Sequence, residues 1–548
     1  MSRDSESFVG IVHRDENDVV WFGDVPVRDA DALPRRKSWA STLWYADATV
    51  RPSDLTQLLG PEDEAFGPAP GQVRGVKIRA GSSRVYRIAT ADSWGVFQRD
   101  PEVADREIRE LRMLAEASGM RVKTSAATTA LTTYLDRWDG DVDHPSVHQL
   151  PCRWRAMAHA AFHGGPIAVL RGGAPNAVQI DVRRAYLDAL YAPVPVLGTT
   201  PGGRTGGYYV LEDATWDQVR KRDGFVEATV RVHSDPTGLP PLPIHKPEGV
   251  VYPNGHIRGC WVISQVREAE ERGQVTVETV HQNAIAREMR PLFAEIADYF
   301  GGLPDKIAKI SYQRYWARWG NPGGWTGMYS EAPRVGEVPA NRLWWRYEGV
   351  TLFDPAAPRT YRPDIAAFIA SLNHRRVMRV LSDDIAANSV AAVHVDAIWT
   401  TDVAGAHRVC ERSRGIGGWR EKRSGPLRVW SAGCYDHAGD VAASGYDQSL
   451  LGAPTRERVE RWVSSGQNTH RRLLLLQRDW VGDPANEATA TSTAPVLMMD
   501  TTIAATNGPL VSDPMWTFGG WVRPDHRPSL PPWAQEQAEP PESEEVDT

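Results

Sequence analysis

The sequence predicts a mixed α/β fold of the α+β kind, and three observations predict it. Two short apolar runs, residues 177–182 and 390–399, have the length and β-branched content of buried strands, and each delivers one aspartate, Asp181 and Asp396. Between them, residues 309–319 read as a basic helix rich in aromatic side chains. Elsewhere, helical periodicity alternates with short strand and turn units, and 548 residues are enough for two to four domains.

Taken in order, residues 1–150 form one domain of short β-like runs (18–22, 84–88) and a clear helix over 101–118. Val103, Ile108, Leu111, Leu114 and Ala115 line one stripe of that helix. The Gly/Pro cluster at 67–71 marks a loop. A helix over 153–162 leads through His163-Gly164-Gly165 to the first aspartate strand. Residues 225–282 read as strands and turns, with Tyr252-Pro253-Asn254-Gly255 a strong turn signal. Helices follow over 264–272 and 289–300, and then the basic helix. Residues 360–387 are helical and carry Arg375, Arg376 and Arg379 ahead of the second aspartate hairpin. Residues 450–480 read as a basic helical segment with Arg456, Arg458, Arg461, Arg471, Arg472 and Arg478. An Ala/Thr-rich loop covers 483–497, and the Pro/Glu-rich stretch 525–548 is expected to be disordered.

Composition narrows the class. An apolar fraction of 41% supports sizeable cores, and 24% charged residues is ordinary for a globular protein. Cys152, Cys260, Cys410 and Cys434 lie far apart without a C-x-x-C pair, which argues against a disulfide scaffold or zinc ribbon and fits a reducing cytoplasm. The polar start MSRDSESFVG has no apolar core of a signal peptide, and no run reaches a membrane span. The net charge is −7, but six uncompensated carboxylates lie between Glu536 and Asp547, so the body is nearly neutral and can carry a basic groove. His144, His148 and Cys152 have metal-like spacing, but Pro145 and Pro151 break the helix that such spacing needs. Residues 202–207 are glycine-rich without G-K-[ST] and read as a mobile loop.

The chemistry lies in the aspartates and the helix between them. Two aspartates on neighbouring strands can bridge a pair of Mg²⁺ ions, the arrangement that phosphoryl transfer to a hydroxyl requires, with Mn²⁺ as a substitute. The carbonyl of Val182 can add a ligand. Tyr186 lies five residues after Asp181, where a turn into a helix returns its ring beneath a bound sugar. On the basic helix Lys309, Gln313, Trp316, Ala317 and Gly320 share one face. The lysine suits phosphates, the aromatic suits a base pair, and Lys306 and Arg314 add charge.

The motifs carry a family likeness. Asp181-Val182-Arg183-Arg184-Ala185-Tyr186 resembles D-x-x-S-L-Y-P, Lys309-x-x-x-Gln313-Arg314-x-Trp316-Ala317 resembles K-x-x-x-N-S-x-Y-G, and His394-Val395-Asp396-Ala397-Ile398 resembles D-T-D-S-I. Phe162-His163-Gly164-Gly165 resembles Y-x-G-G, and Gly417-Gly418-Trp419-Arg420-Glu421 with Cys434-Tyr435 resembles the region ending in K-x-Y, with Gly433 at the lysine. In this order, over about residues 155–450, they resemble the motifs of family B DNA polymerases of the viral and plasmid type. The aspartate and tyrosine of the first motif match, while His394 stands at the first aspartate of the third. The three exonuclease motifs of that family are missing from the sequence.

The resemblance implies a right-hand architecture. It would comprise an N-terminal domain (1–150) that is either a reduced or inactive exonuclease remnant or an unrelated domain, palm (151–285 and 326–450), fingers (286–325), thumb (451–482) and a C-terminal extension (483–548). It implies templated addition of deoxynucleotides to a primer 3′ end with two Mg²⁺ held by Asp181, Val182 and Asp396. Lys309, Lys306, Tyr186, Gln313 and Trp316 would meet the nucleotide. His163, Gly164, Gly165, Tyr435, Arg471 and Arg472 would meet primer–template DNA. Expected partners are DNA, dNTPs and a terminal protein or primase; the expected setting is a monomer in the cytoplasm of a phage-infected bacterium. Two other classes stay open at this point: a catalytically degenerate palm-like protein that binds DNA as a replication accessory, and a nucleotidyl transferase that needs no template.

Overall fold

The computed structural model describes residues 8–26, 42–47, 50, 64–66, 76–80, 84–96, 100–137, 150, 152–198, 206–233, 238–246, 249–320, 330–332, 344–347, 350–353, 361–431, 433–443, 454–464, 473–477 and 495–499. Helices and sheets are both present, as the sequence predicts.

The N-terminal unit is built on a seven-stranded sheet. Its three central strands, Phe8–Arg14, Thr42–Ala46 and Arg84–Thr90, run parallel, and Val20–Phe22 and Val25–Pro26 fold back antiparallel on the first. None of the three central strands carries a carboxylate. Asp15, just beyond the first, is spent as a turn staple: it accepts from Asn17 N, Val19 N and Trp21 Nε1, each at 2.9 Å. The helix Pro101–Ala117 begins with Asp100 accepting from the amides of Glu102 and Val103 and with proline in its first turn. Ala104, Ile108, Leu111 and Ala115 form its buried stripe.

A nine-stranded antiparallel sheet carries both aspartates. Its order is Asp440–Ala443, Cys434–His437, Trp419–Ser431, Gly173–Val182, Ala397–Thr400, Val390–His394, Ile167–Val169, Pro495–Met499, Leu473–Gln477. The apolar runs read from the sequence are thus neighbours, buried from Ala177 to Val182 and from Val390 to Val393. A second sheet, of four strands, is dominated by Gly224–Val232, which pairs antiparallel with Gly255–Val262 on one side and Val275–Ala286 on the other. The helix Ile263–Glu271 follows the second of these.

The helix Asp305–Gly320 packs between the N-terminal helix Ala126–Arg137 and the long helix Pro363–Asp383. Gly320 allows the close approach, because a Cβ there would lie 2.8 Å from the Ala366 Cβ and 2.9 Å from the Phe162 ring. A buried ion pair anchors the start of Pro363–Asp383: Arg362 donates to Asp364 at 2.7 and 2.8 Å and to the Pro195 carbonyl, and Tyr208 Oη donates to Asp364 at 3.0 Å.

Two local expectations differ. The helix expected over 289–300 begins only at Ala294. Pro291 holds Arg290 extended, and Met289–Arg290 pairs with Val194–Pro195. The segment 450–480 is not one helix: Arg456–Ser464 is helical, but Leu473–Gln477 is a strand paired with Pro495–Met499, which overlaps the end of the expected 483–497 loop. Four consecutive leucines offer no polar face to a surface helix and suit a strand. Among the described residues no helix is long and apolar enough to cross a membrane.

Candidate active site

Asp181 sits near the end of Gly173–Val182, directly opposite Ala397, the residue after Asp396. The Val182 amide donates to the Asp396 carbonyl at 3.1 Å. Asp396 itself is in the hairpin turn, where Val395 has φ +61, a left-handed conformation that is costly for a β-branched residue. That turn is held from below. The Val395 amide donates to the Pro166 carbonyl at 2.6 Å, and Gly165 packs so closely that a Cβ on it would lie 2.9 Å from the Val395 Cα. Gly165 and Pro166, at the end of the Phe162–Gly165 segment, therefore underpin the Asp396 turn.

The two carboxylates feel one another. Burial first, and then the negative charge of Asp181, push the Asp396 carboxyl up to about 6. Asp181, 8% exposed, is met by Arg420, whose Nε donates to Oδ1 at 2.7 Å and whose Nη2 donates to Oδ2 at 3.4 Å. Lys422 Nζ is 3.9 Å from Oδ2.

After Asp181 the chain turns sharply. The Arg183 amide and carbonyl bond to the Gly418 carbonyl and Gly417 amide, each at 2.8 Å, and Arg184, at φ +50, starts the short helix Ala185–Ala189. This turn brings Tyr186 back toward Asp396. Its ring stacks on Trp316, with centroids 4.5 Å apart and planes 13° apart. Burial and then the Asp396 charge raise the Tyr186 phenol above its ordinary range, while a hydrogen bond with Asn373 works the other way. Gly417 has φ +76, and a Cβ there would strike the Asp188 carboxylate at 2.4 Å, so this turn requires glycine. Asp188 is ion-paired with Arg376, which also helps to offset the Asp396 charge.

The helix Asp305–Gly320 runs past this cluster. Arg184 ties down its start by donating to Asp305 at 2.6 Å. Lys306, Lys309 and Gln313 are exposed, whereas Trp316 is buried, so the face expected from the sequence is open to solvent at one end and packed at the other. Tyr435 packs edge-on against Trp399 at 4.9 Å, and its phenol interacts with Gln179 on the Asp181 strand. His163 is buried and Gly164 takes φ +73. Arg471 and Arg472 lie outside the described residues.

Sequence reasoning gave no site role to Arg420, which it named only within the Gly417–Glu421 motif, and passed over Lys422 and Tyr312. Tyr312 lies within electrostatic reach of Arg184, Asp396 and Arg420. Its signal was present, since it falls three residues after Lys309 and four before Trp316. Nothing in the sequence tied Arg420 or Lys422 to Asp181, because that contact comes from a strand pairing that the sequence does not state. Among the described residues no group of three or more His, Cys, Asp or Glu side chains is arranged to hold a metal. The donor set at this site is two carboxylates whose mutual repulsion favours a bound cation, together with nearby backbone carbonyls, which is chemistry suited to a hard divalent ion.

No family model matches this chain and no curated protein matches it by sequence. Solved structures do match. "Phi29 DNA polymerase complexed with single-stranded DNA" aligns with TM-score 0.54 at 11% identity, covering 82% of this chain and 93% of that one. The primer–template complex of the same enzyme, in its post-translocation binary form, gives the same values. Its ternary complex with primer-template DNA and incoming nucleotide gives TM-score 0.50 at 10% identity over 87% and 94%. The fold of this chain is therefore similar to that of phi29 DNA polymerase.

Proposed function

We propose that this chain is a DNA-directed DNA polymerase that adds deoxynucleotides to a primer 3′ end on a template. The observation that carries the reading is the convergence of Asp181 and Asp396, 215 residues apart in sequence: Asp181 lies on one strand and Asp396 in the turn that opens the strand paired with it, in a fold similar to a DNA polymerase. In this reading residues 151–285 and 326–450 are the palm, 286–325 the fingers and 451–482 the thumb, with Leu473–Gln477 within it returning to the palm sheet. Residues 1–150 are an exonuclease-like domain without activity, a view supported by central strands that lack carboxylates.

Asp181, Asp396 and the Val182 carbonyl would hold two Mg²⁺. When bound, such ions lower the pKa of the attacking 3′-hydroxyl and neutralise the triphosphate and the leaving pyrophosphate. The chain's own part is to position and to exclude. Lys309 and Lys306, exposed on successive turns, meet the triphosphate. Tyr186, backed by Trp316, stands under the sugar and rejects a 2′-hydroxyl by bulk, and Trp316 and Gln313 border the new base pair. The His163-Gly164-Gly165 segment and Tyr435 guide template and primer, and Arg471 and Arg472 would contact duplex phosphates without reading sequence.

A second reading, a DNA-binding accessory without catalysis, is favoured by His394 at the place of a motif aspartate and by the arginine on Asp181. Primer extension with labelled primer–template separates the readings. Templated, Mg²⁺-dependent products that disappear in both Asp181→Asn and Asp396→Asn, with DNA affinity kept, support the polymerase. DNA binding without any product supports the accessory, and tails that ignore the template support a terminal transferase.

A further inference from the structure

Arg420 stands directly across the ladder from Asp181 and engages both carboxylate oxygens. Between Glu421 and Arg423 the ladder slips, and Lys422 falls in that bulge with its ammonium 3.9 Å from the same carboxylate. Arg423, one residue on, goes elsewhere, to the His437 carbonyl and to Asp440. Exposure is asymmetric. The Asp181 side chain is 12% exposed, whereas those of Arg420 and Lys422 are 49% and 46% exposed. The carboxylate is inside, and the two cations cover it from the solvent side. They occupy the oxygens that a divalent ion would need. An ion pair with so exposed an arginine is weak and exchangeable, unlike the buried Arg362–Asp364 pair. Tyr312 is within electrostatic reach of Arg420, so the helix that presents Lys309 borders the same space.

We propose that Arg420, seconded by Lys422, is a resident counter-cation that holds Asp181 in the nucleotide-free protein and passes to the phosphates of the incoming nucleotide when a divalent ion takes its place. The inference rests on the polymerase reading and adds a residue to it. The exchange makes and breaks ion pairs alone: Asp181 trades one cation for another, and Arg420 trades a carboxylate for a phosphate. Mg²⁺ by itself must compete with the arginine. Mg²⁺ together with a nucleotide does not, because the phosphates receive Arg420. Metal and nucleotide binding are therefore positively coupled through this side chain.

The test is calorimetric titration of the full chain with Mg²⁺ alone, and with dNTP in the presence of a nonreactive divalent ion, Ca²⁺. Arg420→Gln is expected to tighten Mg²⁺ binding about five- to tenfold and to weaken dNTP binding by roughly as much, the usual range of coupling between sites. Arg423→Gln removes a charge from the same strand without touching Asp181 and is expected to change neither. Arg420→Lys keeps the charge without the fork and is expected to fall between. Unchanged or weaker Mg²⁺ binding in folded Arg420→Gln overturns the proposal, because a merely structural arginine would orient Asp181 rather than compete for it. Tighter Mg²⁺ with unaltered dNTP affinity overturns the transfer to phosphate. Absence of Mg²⁺ binding by the unaltered chain, with and without nucleotide, removes the metal-dependent reading itself and this inference with it.

Discussion

Asp396 bears its charge in an unfavourable place. Its carboxyl is pushed from an ordinary 3.8 to about 6 by burial and by Asp181, so the folded protein retains a proton there that the unfolded chain releases. The sign follows from linkage. A raised carboxyl contributes stability that is fully present below about pH 4 and is lost as pH rises through about 6, leaving a cost on the order of 3 kcal/mol at neutral pH without a divalent cation. Asp396→Asn removes the charge and keeps the shape. In chelator at pH 8 it is expected to melt a few degrees above the parent chain, with the gap closing as the pH approaches 4. Added Mg²⁺ stabilises only the parent and narrows the gap. Equal melting curves at pH 8 and pH 4 would show that Asp396 does not titrate abnormally. The same carboxylate whose removal stabilises the protein is required for the proposed activity, a stability–function conflict common at active sites.

At the scale of elements, the hairpin Val390–Thr400 depends on two adjacent glycines for different reasons. Gly164, at φ +73, has nothing within 4 Å of a would-be Cβ, so Gly164→Ala costs only backbone strain, about 1 kcal/mol. Gly165 has no such strain, but its Cβ would meet the Val395 backbone, so Gly165→Ala is an overpacking change costing about 1–3 kcal/mol. The first substitution is expected to lower the melting temperature and leave Mg²⁺ affinity intact. The second is expected to lower both, because Asp396 moves with Val395, and calorimetry paired with thermal unfolding distinguishes them. Much of this element was legible: an apolar run ending at an aspartate and a G-G segment ahead of the strand are sequence features. The mutual support of Gly165 and Val395 was not, since neither a left-handed valine nor a contact across 230 residues leaves a local pattern. The bulge at Lys422 escaped for the same reason, as register belongs to pairs of strands. The break of the 450–480 helix escaped because arginines mark a basic face whether the segment is helix or strand, and the run Leu473–Leu476 was not read as a strand signal.

For the whole molecule, the N-terminal unit is structurally continuous with the helix that bears Lys309. Tyr134, on the helix Ala126–Arg137, meets Phe293, Tyr315 and Trp319 edge-on at 5.7, 5.6 and 6.2 Å. Those three partners are 0% exposed. Nearby, Tyr299 donates to the Ser118 carbonyl at 2.7 Å, and the Arg137 guanidinium lies 3.7 Å over the Tyr299 ring. The sequence located the helix and its aromatic content but gave no sign that residues 1–150 supply its back wall, since the matching face is a run of small and β-branched residues around one tyrosine. The described part of the N-terminal unit thus has a physical role of its own: it closes the aromatic core behind the site. Tyr134→Ala opens that core and is expected to cost about 3–5 kcal/mol, as other large-to-small aromatic truncations do. On the proposed polymerase reading, the effect extends to nucleotide binding. Tyr315 and Trp319 lie on the same helix as Lys309 and Trp316, and a helix free to settle into the cavity carries the Trp316–Tyr186 stack with it. The expected result is a lower melting temperature together with a raised KM for dNTP and weaker rejection of ribonucleotides in primer extension. Tyr134→Phe, which keeps the ring, restores all three. A Tyr134→Ala chain that melts early but binds and selects nucleotides like its parent would show that the N-terminal unit only stabilises the helix and does not set its position.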